Sequence, residues 1–321
     1  MIILYKGQPE AWGGVYQILQ NRLPGLGREL NLRCQPDDHF IDQHDVEVLI
    51  PTAAKVDDIA LAKMPHLRLV QQAGAGVEGI DLLAARARNI PVANVPTDVS
   101  GAAQAVAEHA LGMMLALARR HRDYRAALER RCLGTPVGSS LFGKTIGIVG
   151  FGRIGRHLAM LLEPFRVSIV AISRTGIGPA VGSHVRWVRP AADLPYLLRE
   201  AEIIVLACPL DSATSSMLGR NALRMCKRGV CIINVARGAI LDAEAALDAL
   251  REGHISSLGL DVFESEPPDP ASALLTHPNT LASPHVASAT AEVAEATAQV
   301  VAENIDRVSR NLAPLYRVAS C

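Results

Sequence analysis

The chain has 321 residues, enough for two domains with cores of their own. Its 32 basic residues balance its 32 acidic ones, so nothing in the charge favours nucleic acid and no charged tail is visible. No apolar run approaches the roughly 18–20 residues of a membrane span, and the opening Met1–Lys6 reads as a strand rather than a signal peptide, so a cytoplasmic protein away from membranes is expected.

From the N-terminus, short apolar strands at 2–5, 46–50, 67–71 and 92–95 alternate with helix-compatible stretches at 12–23, 56–63 and 81–88. That alternation predicts an α/β domain with a parallel sheet. Ala73-Gly-Ala75-Gly76-Val77 ends a strand in a small-residue loop whose backbone N–H groups can bind a carboxylate, although such a loop on its own is more often a plain turn. A polar break at 96–101 precedes a long helical pattern from Ala102 to about Ala127, apolar almost all round. A helix of that kind is expected to be buried on more than one side, between domains or at a subunit interface. Glu108 and His109 read as polar groups near its start rather than as catalytic residues. The six cysteines, at 34, 132, 208, 226, 231 and 321, contain no C-x-x-C pair, and reduced, buried thiols are expected. No metal site is assigned.

A loop at 134–140 leads to the stretch around which the second half is organised, Lys144-Thr-Ile-Gly-Ile-Val-Gly150-Phe-Gly152-Arg153-Ile154-Gly155. A β-branched strand, 145–149, turns through Gly150 and Gly152 into a helix that begins near Arg153. Gly150 permits the tight turn, Gly152 lets N–H groups approach a pyrophosphate, and Gly155 lets helix and strand pack closely. A lone G-x-G-x-x-G is weak, but here strand and helix stand where the motif requires them. The next strand, 167–172, ends in Ser173-Arg174-Thr175, with no acid to accept a ribose 2′-OH. An arginine between two hydroxyls suits a 2′-phosphate instead.

Further strands are expected at 185–188, 203–207, 229–235, 257–262 and 281–285, with helices at 193–199, 221–225, 242–252 and 290–310. The strand at 203–207 runs into Cys208-Pro209 and then Thr214, and the strand at 229–235 ends with Val235 before Ala236-Arg237-Gly238. Arg237, Glu266 and His285 all stand just past strand ends, where open α/β sheets bind ligands. The cation can hold a substrate carboxylate, the imidazole can exchange a proton with the reacting oxygen, and the carboxylate can orient the imidazole and raise its pKa.

Asn234-Val-Ala-Arg237-Gly-Ala-Ile-Leu-Asp242, Gly259-Leu-Asp261-Val-Phe-Glu-Ser-Glu266-Pro and Ser283-Pro-His285 together resemble the signature motifs of the D-isomer-specific 2-hydroxyacid dehydrogenases, in the expected order and over essentially the whole chain. The resemblance implies two Rossmann-like or flavodoxin-like α/β domains with a cleft between them. A cofactor domain would span 100–285, and a discontinuous substrate domain 1–99 plus 286–321. It implies Arg237, Glu266 and His285 as catalytic residues, and Ala75, Gly76 and Val77 as the substrate-carboxylate loop with Arg237 and His285. The cofactor would be held by Gly150, Gly152, Arg153, Ile154, Gly155, Ser173, Arg174, Thr175, Cys208, Pro209, Thr214, Val235, Ala236, Asp261 and His285, with Asp261 on the nicotinamide carboxamide. Two departures stand out: the missing ribose acid, which is similar to the family's NADPH-dependent reductases, and Arg131-Cys132-Leu133 where a Trp is common. No C-terminal regulatory domain is expected. The implied function is NADPH-dependent reduction of a small 2-keto acid such as glyoxylate or hydroxypyruvate. The alternatives are an NAD(H)-linked enzyme for a bulkier acid and a nucleotide-sensing protein like the corepressors that resemble this family. A homodimer around the helix at 102–120 is expected.

Overall fold

The structure, a computed structural model, describes residues 1–36, 39–178 and 182–319. The chain divides into two units, Met1–Ala102 with Ala289–Cys321, and Ala103–Ser288. Each is an α/β unit built on a parallel sheet.

The first unit holds β1 (Ile2–Lys6), β2 (Asn31–Gln35), β3 (Val46–Ile50), β4 (Leu69–Gln71) and β5 (Val92–Ala93), in the spatial order β2-β1-β3-β4-β5. Strand periodicity explains its two cores. Ile3 and Tyr5 of β1 face the helices Val15–Arg22 and Ala291–Ser309, while Leu4 faces the helices Asp58–Ala62 and Leu82–Ala87. The edge strand β2 is absent from the sequence reading. Its Asn31-Leu-Arg-Cys-Gln35 has no apolar run, because an edge strand needs little cover and none of its residues is fully buried.

The second unit holds β6 (Thr145–Val149), β7 (Ser168–Ile172), β8 (Val185–Arg189), β9 (Ile203–Leu206), β10 (Val230–Asn234), β11 (Ile255–Leu260) and β12 (Thr280–Ala282). Their spatial order is β12-β11-β10-β9-β6-β7-β8, the doubly wound arrangement in which chain order reverses between β6 and β9. One core layer lies under the helices Leu194–Glu200 and Ala243–Arg251, the other under Ala102–Ala118 and Arg153–Leu162. Gly147 admits the first of these: a Cβ there would meet Leu197 Cδ2 at 2.6 Å and Ala201 Cβ at 2.8 Å.

Three expectations change. The long helix ends at Ala118, not near Ala127. Arg120 takes a left-handed φ of 56°, and Ser139 N–H bonds the Ala118 carbonyl at 2.7 Å as the chain returns, which satisfies the helix end. A short helix, Tyr124–Glu129, follows separately. The last strand stops at Ala282, so Ser283, Pro284 and His285 belong to a loop. Cys132 is exposed, whereas Cys226 and Cys231 are buried and Cys34 and Cys208 half-buried. All five are free thiols, and Cys321 lies outside the described residues. Among the described residues no helix is long and apolar enough to cross a membrane.

Candidate active site

The dinucleotide loop forms where β6 meets the helix Arg153–Leu162. Its three glycines do different work. Gly150 has φ 105°, and a Cβ there would meet Ala207 C and Cys208 N at 2.5 Å. Gly155 would drive a Cβ to 2.4 Å from the Gly150 carbonyl. Gly152 differs, because nothing in the protein lies within 4 Å of where its Cβ would be. No contact inside the protein requires glycine at 152, and the open space there leaves room for a group from outside to come close. Gly152 is also the helix N-cap and supplies no side-chain bond, and the first turn holds no acid. Those first-turn N–H groups have no intrahelical acceptor and form the positive end of the helix dipole. A dinucleotide pyrophosphate fits this cradle. Arg153 is exposed at the first helical position, and Ile154 packs against the core.

The neighbouring loops close around this point. The tight approach of Gly150 to Cys208 sets the Cys208-Pro209 segment beside the glycine loop. Burial pushes the Cys208 thiol up to about 11, so it stays protonated and acts as a wall rather than a nucleophile. Thr214 Oγ1 donates to the Pro209 carbonyl at 2.8 Å and accepts from Asp211 N–H at 2.8 Å, so its visible role is to fix that turn. Ser173 and Thr175 frame an exposed Arg174 just past β7. Asp211 lies near enough for the Arg174 charge to help depress its carboxyl, after the larger contributions of the Ala213 and Thr214 N–H groups.

At the other end of the same sheet edge, three strands deliver three side chains. Arg237 follows β10, Glu266 follows β11 and His285 follows β12. The fully buried Asn234 braces the first loop: its Nδ2 donates to the Arg237 carbonyl at 2.9 Å and its Oδ1 accepts from Ala236 N–H at 3.1 Å. Val235 and Ala236 are themselves buried. Gly238 lets this loop lie on the next one, since a Cβ there would fall 1.9 Å from Phe263 C. Glu266 Oε2 and His285 Nδ1 are 2.7 Å apart, and Glu266 Oε1 accepts from Phe263 N–H at 3.0 Å. Burial alone would raise the Glu266 carboxyl. The His285 hydrogen bond, the Phe263 N–H and the charges of His285 and Arg237 together outweigh it, and hold Glu266 below the usual carboxylate range. Glu266 therefore stays ionised as pH falls through the ordinary range, and the pair is lost only at still lower pH.

Asp261 stands directly after β11 and is 1% exposed. Its oxygens are already engaged: Oδ1 accepts from Ser283 Oγ at 2.6 Å and Val286 N–H at 2.9 Å, and Oδ2 from Ala287 N–H at 2.9 Å. Its visible work is to hold the loop that carries His285. Sequence reasoning missed that part, together with Ser283, because the bonds span 22 to 26 residues and no local spacing reports them.

In the first unit, β4 runs into the loop at 73–77. Four of its carbonyls are claimed: Val95 N–H bonds Gly74 O at 2.9 Å, Asn94 Nδ2 bonds Ala75 O at 2.7 Å, Gln72 Nε2 bonds Gly76 O at 3.0 Å and Ile80 N–H bonds Val77 O at 3.0 Å. Among the described residues no acceptor bonds the N–H groups of Ala75, Gly76 and Val77. A loop with its carbonyls anchored and successive N–H groups open suits a carboxylate.

Comparison with known proteins agrees with this geometry. Residues 111–287 match the family described as D-isomer specific 2-hydroxyacid dehydrogenase, NAD binding domain. The chain belongs to the D-isomer-specific 2-hydroxyacid dehydrogenases. Within that family, the glyoxylate reductase of Pyrococcus furiosus is 35% identical over 280 residues, 84% of this chain and 81% of that protein. The D-3-phosphoglycerate dehydrogenase of Methanocaldococcus jannaschii is 35% identical over 83% of this chain, but the chain spans only 50% of that protein. Among solved structures, the NADPH-dependent glyoxylate/hydroxypyruvate reductase of Sinorhizobium meliloti, in complex with NADP and malonate, is 30% identical with a TM-score of 0.84, covering 99% of this chain and 96% of that one.

The unequal glycines give a direct test. Gly152→Ala should leave the melting temperature within about 2 °C of the unmodified protein yet weaken dinucleotide binding about tenfold or more. Gly155→Ala should cost stability, on the order of 1–3 kcal/mol, through overpacking. Unchanged dinucleotide affinity in Gly152→Ala, measured by fluorescence titration, would mean that no phosphate approaches that residue.

Proposed function

We propose that this chain reduces small 2-keto acids of the glyoxylate and hydroxypyruvate kind to D-2-hydroxy acids, with NADPH favoured over NADH. The observation that carries the reading is the Glu266–His285 pair beside the Arg237 charge, on the sheet edge that also bears the glycine loop. The Arg237 guanidinium binds the substrate carboxylate and polarises the adjoining carbonyl. The N–H groups of Ala75, Gly76 and Val77 are assigned to the same anionic class of ligand. His285 Nδ1 is engaged by Glu266, so Nε2 is the nitrogen that meets the substrate oxygen. In reduction, Nε2 gives its proton to the carbonyl oxygen, and Glu266 stabilises the imidazolium beforehand and fixes its orientation. A bound reduced nicotinamide supplies the hydride to C2. In oxidation the proton returns to Nε2.

Several features support NADPH. No carboxylate follows β7 to repel a 2′-phosphate, and Arg174 stands exposed between two hydroxyls. Asp211 is a partial counterweight, but its carboxylate is tied to the Ala213 and Thr214 N–H groups and so does not occupy Arg174 as a dedicated partner. The Sinorhizobium meliloti relative binds NADP. An NAD(H)-linked enzyme for a bulkier acid is the second reading, favoured by the D-3-phosphoglycerate dehydrogenase relatives. Spectrophotometry with both cofactors and a panel of keto acids separates these. The account expects NADPH turnover on glyoxylate or hydroxypyruvate, and a loss of NADPH efficiency of about tenfold or more relative to NADH in Arg174→Asp. Equal specificity constants for the two cofactors would refute the preference, and no turnover on any keto acid would favour a nucleotide-sensing protein.

The same reading includes a homodimer, though on different support from that expected. The long helix covers most of its apolar residues within its own unit and exposes Gln104, Glu108 and Gly112. The exposed apolar surface lies after it, at Leu128 (70%), Leu133 (92%), Val137 (79%) and Phe142 (65%). Beside this arm lies a cavity of about 800 Å³ lined in part by Leu117, Val137, Val230 and Leu281. A second copy, contributing the same arm, is the proposed occupant. Light scattering at micromolar concentration should return twice the mass of one chain, and a monomer mass would contradict the assignment.

A further inference from the structure

His109 sits in the first half of the helix Ala102–Ala118, and its imidazole touches neither the glycine loop nor the Glu266–His285 pair through any bond seen here. Its Nε2 lies 2.9 Å from Ser283 Oγ. Ser283 Oγ in turn lies 2.6 Å from Asp261 Oδ1. A serine hydroxyl has one proton. Asp261 is an acceptor, so that proton goes to Oδ1, and the lone pairs of Oγ face His109. His109 must therefore carry its proton on Nε2 and donate. A second contact, 3.6 Å from His109 Nε2 to Asp261 Oδ1, points the same way.

The network ends on the backbone of the catalytic loop. Asp261 collects the N–H groups of Val286 and Ala287, the two residues that follow His285. His285 itself has φ 54°, a left-handed conformation that a residue with a Cβ adopts only where its surroundings hold it. The N–H groups of Val286 and Ala287, converging on one carboxylate, hold the chain on the far side of that turn. His285 N–H bonds the Ser283 carbonyl at 3.0 Å, and Ser283 N–H bonds the Leu260 carbonyl at 2.8 Å, so the same serine anchors the turn at its start. The polar contacts of Asp261 thus run from a rigid helix, through one hydroxyl, to the peptide that aims the imidazole at Glu266.

We propose that His109 and Ser283 are positioning residues for His285: they hold Asp261 in the orientation that fixes the backbone of the catalytic loop. This rests on the reading of His285 as the proton donor. The consequence is specific. Losing either residue leaves the dinucleotide loop and Arg237 in place, so binding survives. The imidazole loses its fixed orientation, so the chemical step slows.

The test uses two pairs of variants in the full chain. Ser283→Ala removes the hydroxyl, and Ser283→Thr keeps it. His109→Phe removes the donor, and His109→Gln places an amide N–H within reach of Oγ. Steady-state and single-turnover reduction of hydroxypyruvate by NADPH, cofactor affinity and amide hydrogen exchange at 283–287 are measured for each. Ser283→Ala and His109→Phe should lower kcat by about tenfold or more, with cofactor affinity and keto-acid KM within about threefold, and should speed exchange at Val286 and Ala287. Ser283→Thr and His109→Gln should restore most of both. The proposal is overturned if kcat is unchanged in the first pair, if KM rises while kcat holds, or if the conservative variants are as impaired as the others. If the unmodified protein reduces no keto acid, the reductase reading fails. Exchange at Val286 and Ala287 then still decides the positioning role: faster in the first pair supports it, and unchanged overturns it.

Discussion

The 2.7 Å hydrogen bond between His285 and Glu266 depends on more of the fold than any other contact in the site. It joins loops after β11 and β12, and the Arg237 charge reaches it from the loop after β10. These three strands are consecutive neighbours in a parallel sheet, so their carboxyl ends lie side by side. Antiparallel pairing would have sent alternate ends to opposite edges. The absence of a side chain at Gly238 then allows the first loop to rest on the second, where any other residue would collide with Phe263.

The other half of that edge carries the dinucleotide loop. Chain order reverses between β6 and β9, and the loops that follow them meet where Gly150 touches Cys208. Two of the three glycines answer to close contacts inside the protein, and the third answers to open space. That contrast leaves Gly152 open where the proposed dinucleotide would approach, while Gly150 and Gly155 are accounted for by contacts inside the protein. Charge follows the same division. The depressed Glu266 carboxyl belongs to the end that carries Arg237 and His285, and the Asp211 carboxyl, held down by the Ala213 and Thr214 N–H groups, belongs to the loop near Arg174.

How much of this was legible in the sequence follows from the range of each interaction. The glycine loop is local: strand, turn and helix lie within a few residues, and spacing alone exposes it. Arg237, Glu266 and His285 are distant from one another, yet each sits at the end of a readable apolar strand, so a parallel sheet brings them together. Strand β2 escaped because an edge strand of alternating polar residues carries no apolar run. The end of the long helix escaped because it is set by a bond from Ser139, 21 residues beyond Ala118, and not by a local breaker. Within its own helix His109 is an ordinary polar residue near the start. Its partner Ser283 is 174 residues away, and no pattern within one helix could have revealed the contact.

The central claim is that the Glu266–His285 pair delivers the proton in reduction, and single-turnover reduction of hydroxypyruvate by NADPH tests it most directly. His285→Gln should abolish most of the reduction rate. Glu266→Gln, which keeps the shape of the side chain and removes its charge, should slow reduction by about tenfold or more, while NADPH affinity stays within about threefold. An unchanged rate in Glu266→Gln would contradict the account, because the carboxylate 2.7 Å from His285 would then have no part in the proton transfer.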